Sequence, residues 1–424
     1  MKQPSLMPVF QQIKDYKLTY FRKDLFSAFM VSLLLIPQGM AYAILAGLPP
    51  VYGLYTAIFP AIMYGLFGLS RQLSVGPVAV ISIMVFAGVA PLADPGTASY
   101  LAYVVFLTLL VGLVQMLMAV LRIGALMQFV PHSVIQGFTS ALALTIILNQ
   151  IGQLIGVSFA RELPFFFAVI DFGEKLPTAH VNTMIFSLLL LIFYFISKRS
   201  KVLPPTLVFI VISTAIVIIF SLEQYMIKTV GVIPSGLPSF SIPLLIENQW
   251  INLIPLAFFI AVISFLESFV MASSLNEKIK DVLDPNQELF ALGLANVFGS
   301  FFCSIPVAGA FSRSAVSAQS GARTSLNSLF ATLFVILVLS YFTEGFVHLP
   351  LAALALMIIF AAKNLIDLPY NSLKNKQINN HDFILCMTFV SSLAFGLTYG
   401  ILIGLVLSFI SVWILKFRSS YRKE

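Results

Sequence analysis

From Leu101 to Leu121 the chain runs for 21 residues without an Asp, Glu, Lys, Arg or His. At about 1.5 Å per residue, a helix of that length covers the roughly 30 Å hydrocarbon core of a bilayer. Similar blocks recur to the C-terminus. Backbone placed in lipid must satisfy its own hydrogen bonds, so such blocks are expected to fold as helices. Composition agrees: 59% of the 424 residues are hydrophobic and 10% are charged. A soluble surface needs about 25% charged residues, and this chain lacks the charge to coat one. The expected class is an all-α polytopic membrane protein.

Hydropathy marks about fourteen segments. They are 25–45, 51–69, 76–90, 99–121, 131–156, 181–197 and 203–221, then 253–275, 287–304, 308–319, 325–343, 349–362, 382–396 and 399–416. The third and tenth are too short, or too broken by Gly and Pro, to cross as plain helices, and they hold matching places in two sets of seven. With the N-terminus in the cytoplasm, the inner ends collect Arg71, Arg122, Lys198, Arg199, Lys201, Lys278, Lys280, Arg323, Lys363, Lys374, Lys376 and the tail Lys416, Arg418, Arg422 and Lys423. The outer ends receive only Arg161, Lys175 and Lys228. Cytoplasmic loops carry the excess of Lys and Arg, so both termini are placed inside. Seven segments per half is odd, which makes the second half an inverted repeat of the first.

Residues 1–24 carry Lys14, Lys17, Arg22 and Lys23 and show no cleavable signal. They read either as a short interfacial helix facing lipid with Val9, Phe10, Ile13 and Phe21, or as a solvated tail. Cys303 and Cys386 fit neither a disulfide framework nor a metal site. His132, His180, His348 and His381 are far apart and are assigned to ordinary interfaces. No metal, cofactor or nucleic-acid partner is expected, and no cluster of His, Asp and Glu supports an enzyme.

Two interruptions carry the chemistry: Leu73-Ser74-Val75-Gly76-Pro77 and Ile305-Pro306-Val307-Ala308-Gly309, each preceded by a Phe-Gly pair. Irregular backbone at membrane depth survives only inside protein or beside a watery cavity. A helix that starts there leaves its first N–H groups unpaired and its positive dipole end exposed. Two such ends facing each other would hold an anion with few charged side chains. Pro77 suits the first turn of the first of these helices. The competing reading is a pair of kinked but ordinary helices. Arg313, inside the tenth segment, adds a guanidinium suited to an oxyanion or halide, with Ser312 and Ser314 beside it. It could instead pair with a carboxylate or cap carbonyls. Glu267 is a charge deep within the eighth span, with more than a dozen uncharged residues before it. It reads as a carrier of a coupling proton or sodium ion, or as a static partner of Arg313.

Several separated motifs resemble the sulfate permease (SulP) family. They are Pro37-Gln38-Gly39-Met40-Ala41-Tyr42-Ala43, Leu48-Pro49-Pro50-Val51-Tyr52-Gly53-Leu54-Tyr55, and Gly68 to Pro77. Further on come Asn286-Gln287-Glu288-Leu289 with Gly293-Leu294-Ala295-Asn296, and Phe311 to Val316 with Gly321-Ala322-Arg323-Thr324. That family includes plant sulfate carriers, bacterial bicarbonate and dicarboxylate carriers, and relatives of prestin and pendrin. The resemblance implies a core of 25–122 and 253–343, a gate of 131–221 and 349–417, and half-helices at segments three and ten. It places a small anion against Gln38, Tyr42, Gly76, Pro77, Val78, Phe311, Ser312 and Arg313, with Glu267 as the coupling position. Family members usually continue into a cytoplasmic STAS domain; here residues 418–424 read as a short tail, which leaves a homodimer open.

The expected function is secondary active, elevator-type symport of a small anion such as sulfate or bicarbonate with H+ or Na+. The expected location is the bacterial plasma (inner) membrane. An uncoupled exchanger, a channel and a dicarboxylate carrier are the alternatives.

Overall fold

The computed structural model describes residues 7–411 apart from 15, 125–130, 158–164, 198–204, 226, 244–247, 280–282, 364–365, 368–378, 397–398, 401 and 409. Several residues used to orient the chain lie outside the described residues: Arg161, Lys198, Arg199, Lys201, Lys280, Lys374, Lys376 and everything from Lys416 on. So does the expected tail, 418–424.

The described chain is dominated by helices. In order they are α1 (Pro8–Ile13), α2 (Leu18–Leu45), α3 (Val51–Thr56), α4 (Phe59–Phe67), α5 (Ala79–Val89), α6 (Ala98–Val120), α7 (His132–Ile155), α8 (Phe165–Lys175), α9 (Val181–Ser197) and α10 (Pro205–Ile219). The rest are α11 (Leu253–Ile279), α12 (Pro285–Ser300), α13 (Phe311–Gln319), α14 (Leu326–Tyr341), α15 (Leu351–Lys363) and α16 (Asn380–Phe395). Two short strands, β1 (Val75–Gly76) and β2 (Ala308–Gly309), precede α5 and α13. Among the described residues, four stretches are long and apolar enough to cross a membrane: Leu18–Leu45, Ala98–Val120, Ser133–Ile155 and Trp250–Asn276.

Two elements differ from the hydropathy reading, and a third bears on the alternatives left open for residues 1–24. The segment 51–69 is divided, because the chain turns at Ala57–Ile58 and restarts as α4 with Pro60 in its first turn. Proline is tolerated there, since it has no N–H to leave unpaired. Helix α8 was not among the expected spans. Its sequence mixes an apolar face with Asp171, Glu174 and Lys175, and Lys175 donates to Asp171 at 3.0 Å. Lastly, residues 8–13 form a helix, not a solvated tail. Val9 is buried, and the Gln12 side-chain oxygen accepts the Ser325 N–H at 2.8 Å, while Phe10 and Ile13 stay exposed.

The chain divides into two compact units, residues 1–125 with 181–357, and residues 126–180 with 358–424. Helices α9 and α10 thus fall in the first unit, although the sequence reading groups them with the gate. Within that unit α6 and α12 cross at a pair of glycines. A Cβ on Gly112 would lie 2.6 Å from the Val297 nitrogen and 2.7 Å from the Gly293 oxygen. Small residues let helix backbones approach this closely where water supplies no hydrophobic drive. In the second unit α7 packs on α16, with Phe138, Ala141 and Leu142 buried. There Gln136 donates to Asp367 at 2.6 Å, and Ser140 accepts the Asp367 N–H at 3.0 Å.

Candidate functional site

Inside the first unit β1 and β2 pair antiparallel, with Val75 opposite Gly309 and Gly76 opposite Ala308. All four residues are buried. Each strand leads into a short helix. At about 1.5 Å per residue, α5 reaches about 17 Å and α13 about 14 Å, roughly half of a hydrocarbon core. The residues at their starts, Val78 and Ala310, are extended, and neither side chain caps its helix. Both helices are therefore broken, not merely kinked. Their first N–H groups have no intrahelical acceptor, and their positive dipole ends are left bare.

One expectation needs correcting. Pro77 is not in the first turn of α5; the helix begins at Ala79, after Val78. Pairing with β2 holds Val75 and Gly76 extended, so the helix starts later than hydropathy suggests. The freed carbonyl of Pro77 accepts a hydrogen bond from Arg313 Nη1 at 3.0 Å.

Irregular backbone here is paired by side chains that the sequence reading did not single out. Thr56 Oγ1 accepts the Ile305 N–H at 3.0 Å, and Thr108 Oγ1 donates to the Ser304 carbonyl at 2.9 Å. Asn296 Oδ1 accepts the Val307 N–H at 2.9 Å, and Ser268 Oγ accepts that of Gly309 at 2.7 Å. A relay supports them: Asn296 Nδ2 donates to Gln115 Oε1 at 2.8 Å, and Gln115 Nε2 donates to Ser264 Oγ at 2.7 Å. Each buried backbone group left unpaired would cost about 1–3 kcal/mol, so the relay fixes the approach to β2. The one available signal was a polar side chain inside an apolar run.

Ser74 joins the two arms. Its N–H donates to Ser314 Oγ at 2.8 Å, its carbonyl accepts the Ala310 N–H at 2.9 Å, and its hydroxyl accepts from Arg313 Nε at 3.4 Å. Arg313 is fully buried, and its third nitrogen, Nη2, has no hydrogen-bond partner. A Cβ on Gly76 would stand 3.2 Å from that nitrogen. A larger residue at 76 would thus crowd the guanidinium, and glycine lets it pack close against β1.

Helix α2 lines the same place. A Cβ on Gly76 would touch Leu35 at 3.5 Å, and one on Gly39 would reach Pro77 at 3.7 Å. Gln38 is half-buried, and its side-chain oxygen lacks a partner. Tyr42, one turn further along the same helix, is buried. Glu267, on α11, has a buried carboxylate oxygen without a hydrogen bond. Among the described residues, no ion pair within 4.0 Å joins it to Arg313. Phe311 and Ser312, at the start of α13, are exposed. The structure thus gathers Gly76, Pro77 and Val78 with Arg313, α2 and Glu267, and leaves Phe311 and Ser312 open beside them.

The sulfate permease family model matches residues 21–389. The chain belongs to the sulfate permease family. That family consists of membrane anion transporters, not enzymes, as the sequence implied. The chain is 37% identical over 412 residues to the chloroplastic sulfate transporter 4.1 of Arabidopsis thaliana, covering 94% of this chain and 59% of that protein. A probable sulfate transporter of Mycobacterium tuberculosis is 31% identical, with 95% and 72% covered. The chain thus spans about three fifths of the length of its plant relatives. Among solved structures, the murine Solute Carrier 26 family member A9 anion transporter in the inward-facing state superposes with a TM-score of 0.90 at 27% identity, covering 97% of this chain and 71% of that one. The transmembrane domain of a cyanobacterial bicarbonate transporter shares the fold, with a TM-score of 0.78 at 22% identity, covering 92% and 98%. These matches make the chain an integral membrane protein of helical, polytopic type.

Proposed function

We propose that this chain is a secondary active transporter that binds a small oxyanion, sulfate first among the candidates, between the starts of α5 and α13. The observation that carries this reading is Arg313 Nη2, buried and without a partner where two uncapped helix starts meet. Each helix start offers about half a positive charge and several N–H donors. The guanidinium adds a full charge and a planar set of donors matched to oxyanion geometry. Two of its nitrogens are held by Pro77 and Ser74, so the third is pre-aimed. Gln38, Tyr42, Val78, Phe311 and Ser312 complete the lining. The names of the plant and mycobacterial relatives favour sulfate.

Glu267 is assigned the coupling role. Its carboxylate is not consumed by an ion pair with Arg313, which favours loading by H+ or Na+ over the static pair. We place the anion site in a core of residues 25–122 and 253–343 that moves relative to a gate of 131–221 and 349–417, a division that follows the family resemblance in giving α9 and α10 to the gate although they fall in the first compact unit. This makes an elevator built on a 7+7 inverted repeat of fourteen segments, with both termini cytoplasmic in a bacterial inner membrane. The test is uptake of labelled sulfate, bicarbonate and succinate into proteoliposomes, with proton and sodium gradients imposed separately. Sulfate accumulation driven by one of the two cation gradients is expected. Accumulation that ignores both gradients would return the chain to the exchanger or channel reading.

A further inference from the structure

Two carboxylates away from the anion site are bound in the same unusual way. Asp24 on α2 and Glu288 on α12 are both completely buried. Among the described residues, neither forms an ion pair. Instead each gives one oxygen to two consecutive backbone N–H groups. Asp24 Oδ1 accepts from Arg323 and Thr324 at 2.6 and 3.2 Å, and Glu288 Oε1 accepts from Leu69 and Ser70 at 2.7 and 3.2 Å. The second oxygen of each takes a tyrosine hydroxyl, Tyr16 at 3.1 Å on Asp24 and Tyr64 at 2.7 Å on Glu288. Asp24 also accepts the Thr324 hydroxyl at 2.6 Å.

The loops they hold belong to the two arms of the site. Leu69–Ser70 lies just before Ser74 and β1; Arg323–Thr324 lies just after α13. The loops are braced against each other as well. Gln72 Nε2 donates to the Ala322 carbonyl at 3.0 Å, and Arg71 Nη1 to the Arg323 carbonyl at 3.4 Å. The Ala322 N–H in turn bonds the Ser317 carbonyl in α13 at 3.1 Å. Asp24, in the first half of the sequence, thus anchors the arm that carries Arg313. Glu288, in the second half, anchors the arm that carries Gly76.

We propose that Asp24 and Glu288 are a matched pair of positioning residues that set the spacing and tilt of the two helix starts. Neither touches the anion; each fixes a loop whose displacement would pass through Ser74 or α13 to Arg313. A small anion held by fixed dipoles is sensitive to that geometry, since donors must stand within hydrogen-bond distance of its oxygens. This inference rests on the anion-site reading.

The test is titration of the whole chain in lipid nanodiscs with labelled sulfate, alongside thermal melting and uptake kinetics. Asp24→Ala and Glu288→Ala remove the anchor. Asp24→Asn and Glu288→Gln keep an oxygen for the two N–H groups and can rotate their amide toward the tyrosine. The alanine variants should weaken sulfate binding about tenfold in the folded fraction, raising KM more than they lower kcat, and the amides should restore most of the affinity. If the alanine variants do not fold, Tyr16→Phe and Tyr64→Phe, which delete one bond each, should weaken binding measurably. Unchanged affinity in folded alanine variants, or in the phenylalanine variants where alanine cannot be read, would overturn the proposal. So would amides that bind no better than the alanines. Arg313→Ala in the same assay separates the two claims. If it binds sulfate normally, the site itself is misplaced; if it alone loses binding, only the anchoring role fails.

Discussion

The two arms of the site have the same backbone plan and different chemistry. Each is a buried two-residue strand, an extended residue without a capping side chain, and a half-length helix. Yet α5 reads Ala-Val-Ile-Ser-Ile-Met-Val-Phe-Ala-Gly-Val, whereas α13 reads Phe-Ser-Arg-Ser-Ala-Val-Ser-Ala-Gln. The first arm carries no charged side chain: it offers an anion backbone N–H groups, a dipole and the buried, unpartnered Ser82 hydroxyl. The second adds a guanidinium and a hydroxyl, Ser314, that ties it to the first. On the proposed reading, backbone geometry selects for negative charge, while a single side chain sets most of the strength. The arms should differ accordingly in how they respond to substitution.

The largest effect is expected from Arg313→Ala. It removes the charge and its donors, each charge-assisted hydrogen bond being worth about 1.5–3 kcal/mol, so sulfate affinity should fall about 100-fold. Retained melting temperature would show that the loss is one of binding and not of folding. Glu267→Gln comes next: gradient-driven accumulation should vanish while sulfate binding stays within a few-fold, because Gln mimics a protonated Glu. Loss of stability together with binding would instead mark Glu267 as a structural counter-charge to Arg313.

The first arm can be probed without touching a charge. Val78→Ser places a hydroxyl acceptor at the start of α5, where it would cap an N–H otherwise free for the anion. Such a cap stabilises a helix by about 1 kcal/mol, so melting should rise slightly as sulfate affinity falls a few-fold. Affinity that is unchanged would mean that the α5 dipole plays no part.

A control lies outside both arms. The His348 imidazole, hydrogen-bonded at 2.9 Å, holds the Glu223 carboxyl below its usual range, aided by Thr229 at 3.1 Å. A carboxyl lowered in the folded state contributes stability that is present above its unfolded value, about 4.3, and lost as pH falls through the folded value. Melting should therefore drop slightly in that acidic window, and His348→Ala should flatten the dependence. Sulfate affinity at neutral pH should not change, which separates general stability from the arms themselves.

Much of this site is visible in the sequence because lipid makes polar backbone conspicuous. Gly76-Pro77 and Ala308-Gly309 interrupt apolar segments, and Arg313 and Glu267 are charges where charge is costly. The supporting relay was not visible. Gln115, Ser264 and Ser268 lie outside the quoted motifs, Asn296 closes one whose partner the sequence does not show, and only folding brings Gln115 next to Asn296. Proline 77 shows the limit of local rules, since a proline fits the first turn of a helix or the residue before its cap. Only the Val75–Gly309 pairing decides between them. Asp24 illustrates the same limit, because nothing near it in sequence points to a loop 300 residues away.

The most direct test of the account is a crystal structure of the chain with selenate in place of sulfate, read by anomalous scattering. A selenium peak is expected between the starts of α5 and α13, with an oxyanion oxygen within hydrogen-bond distance of Arg313 Nη2. A peak elsewhere, with the space beside Arg313 empty at saturating selenate, would contradict it.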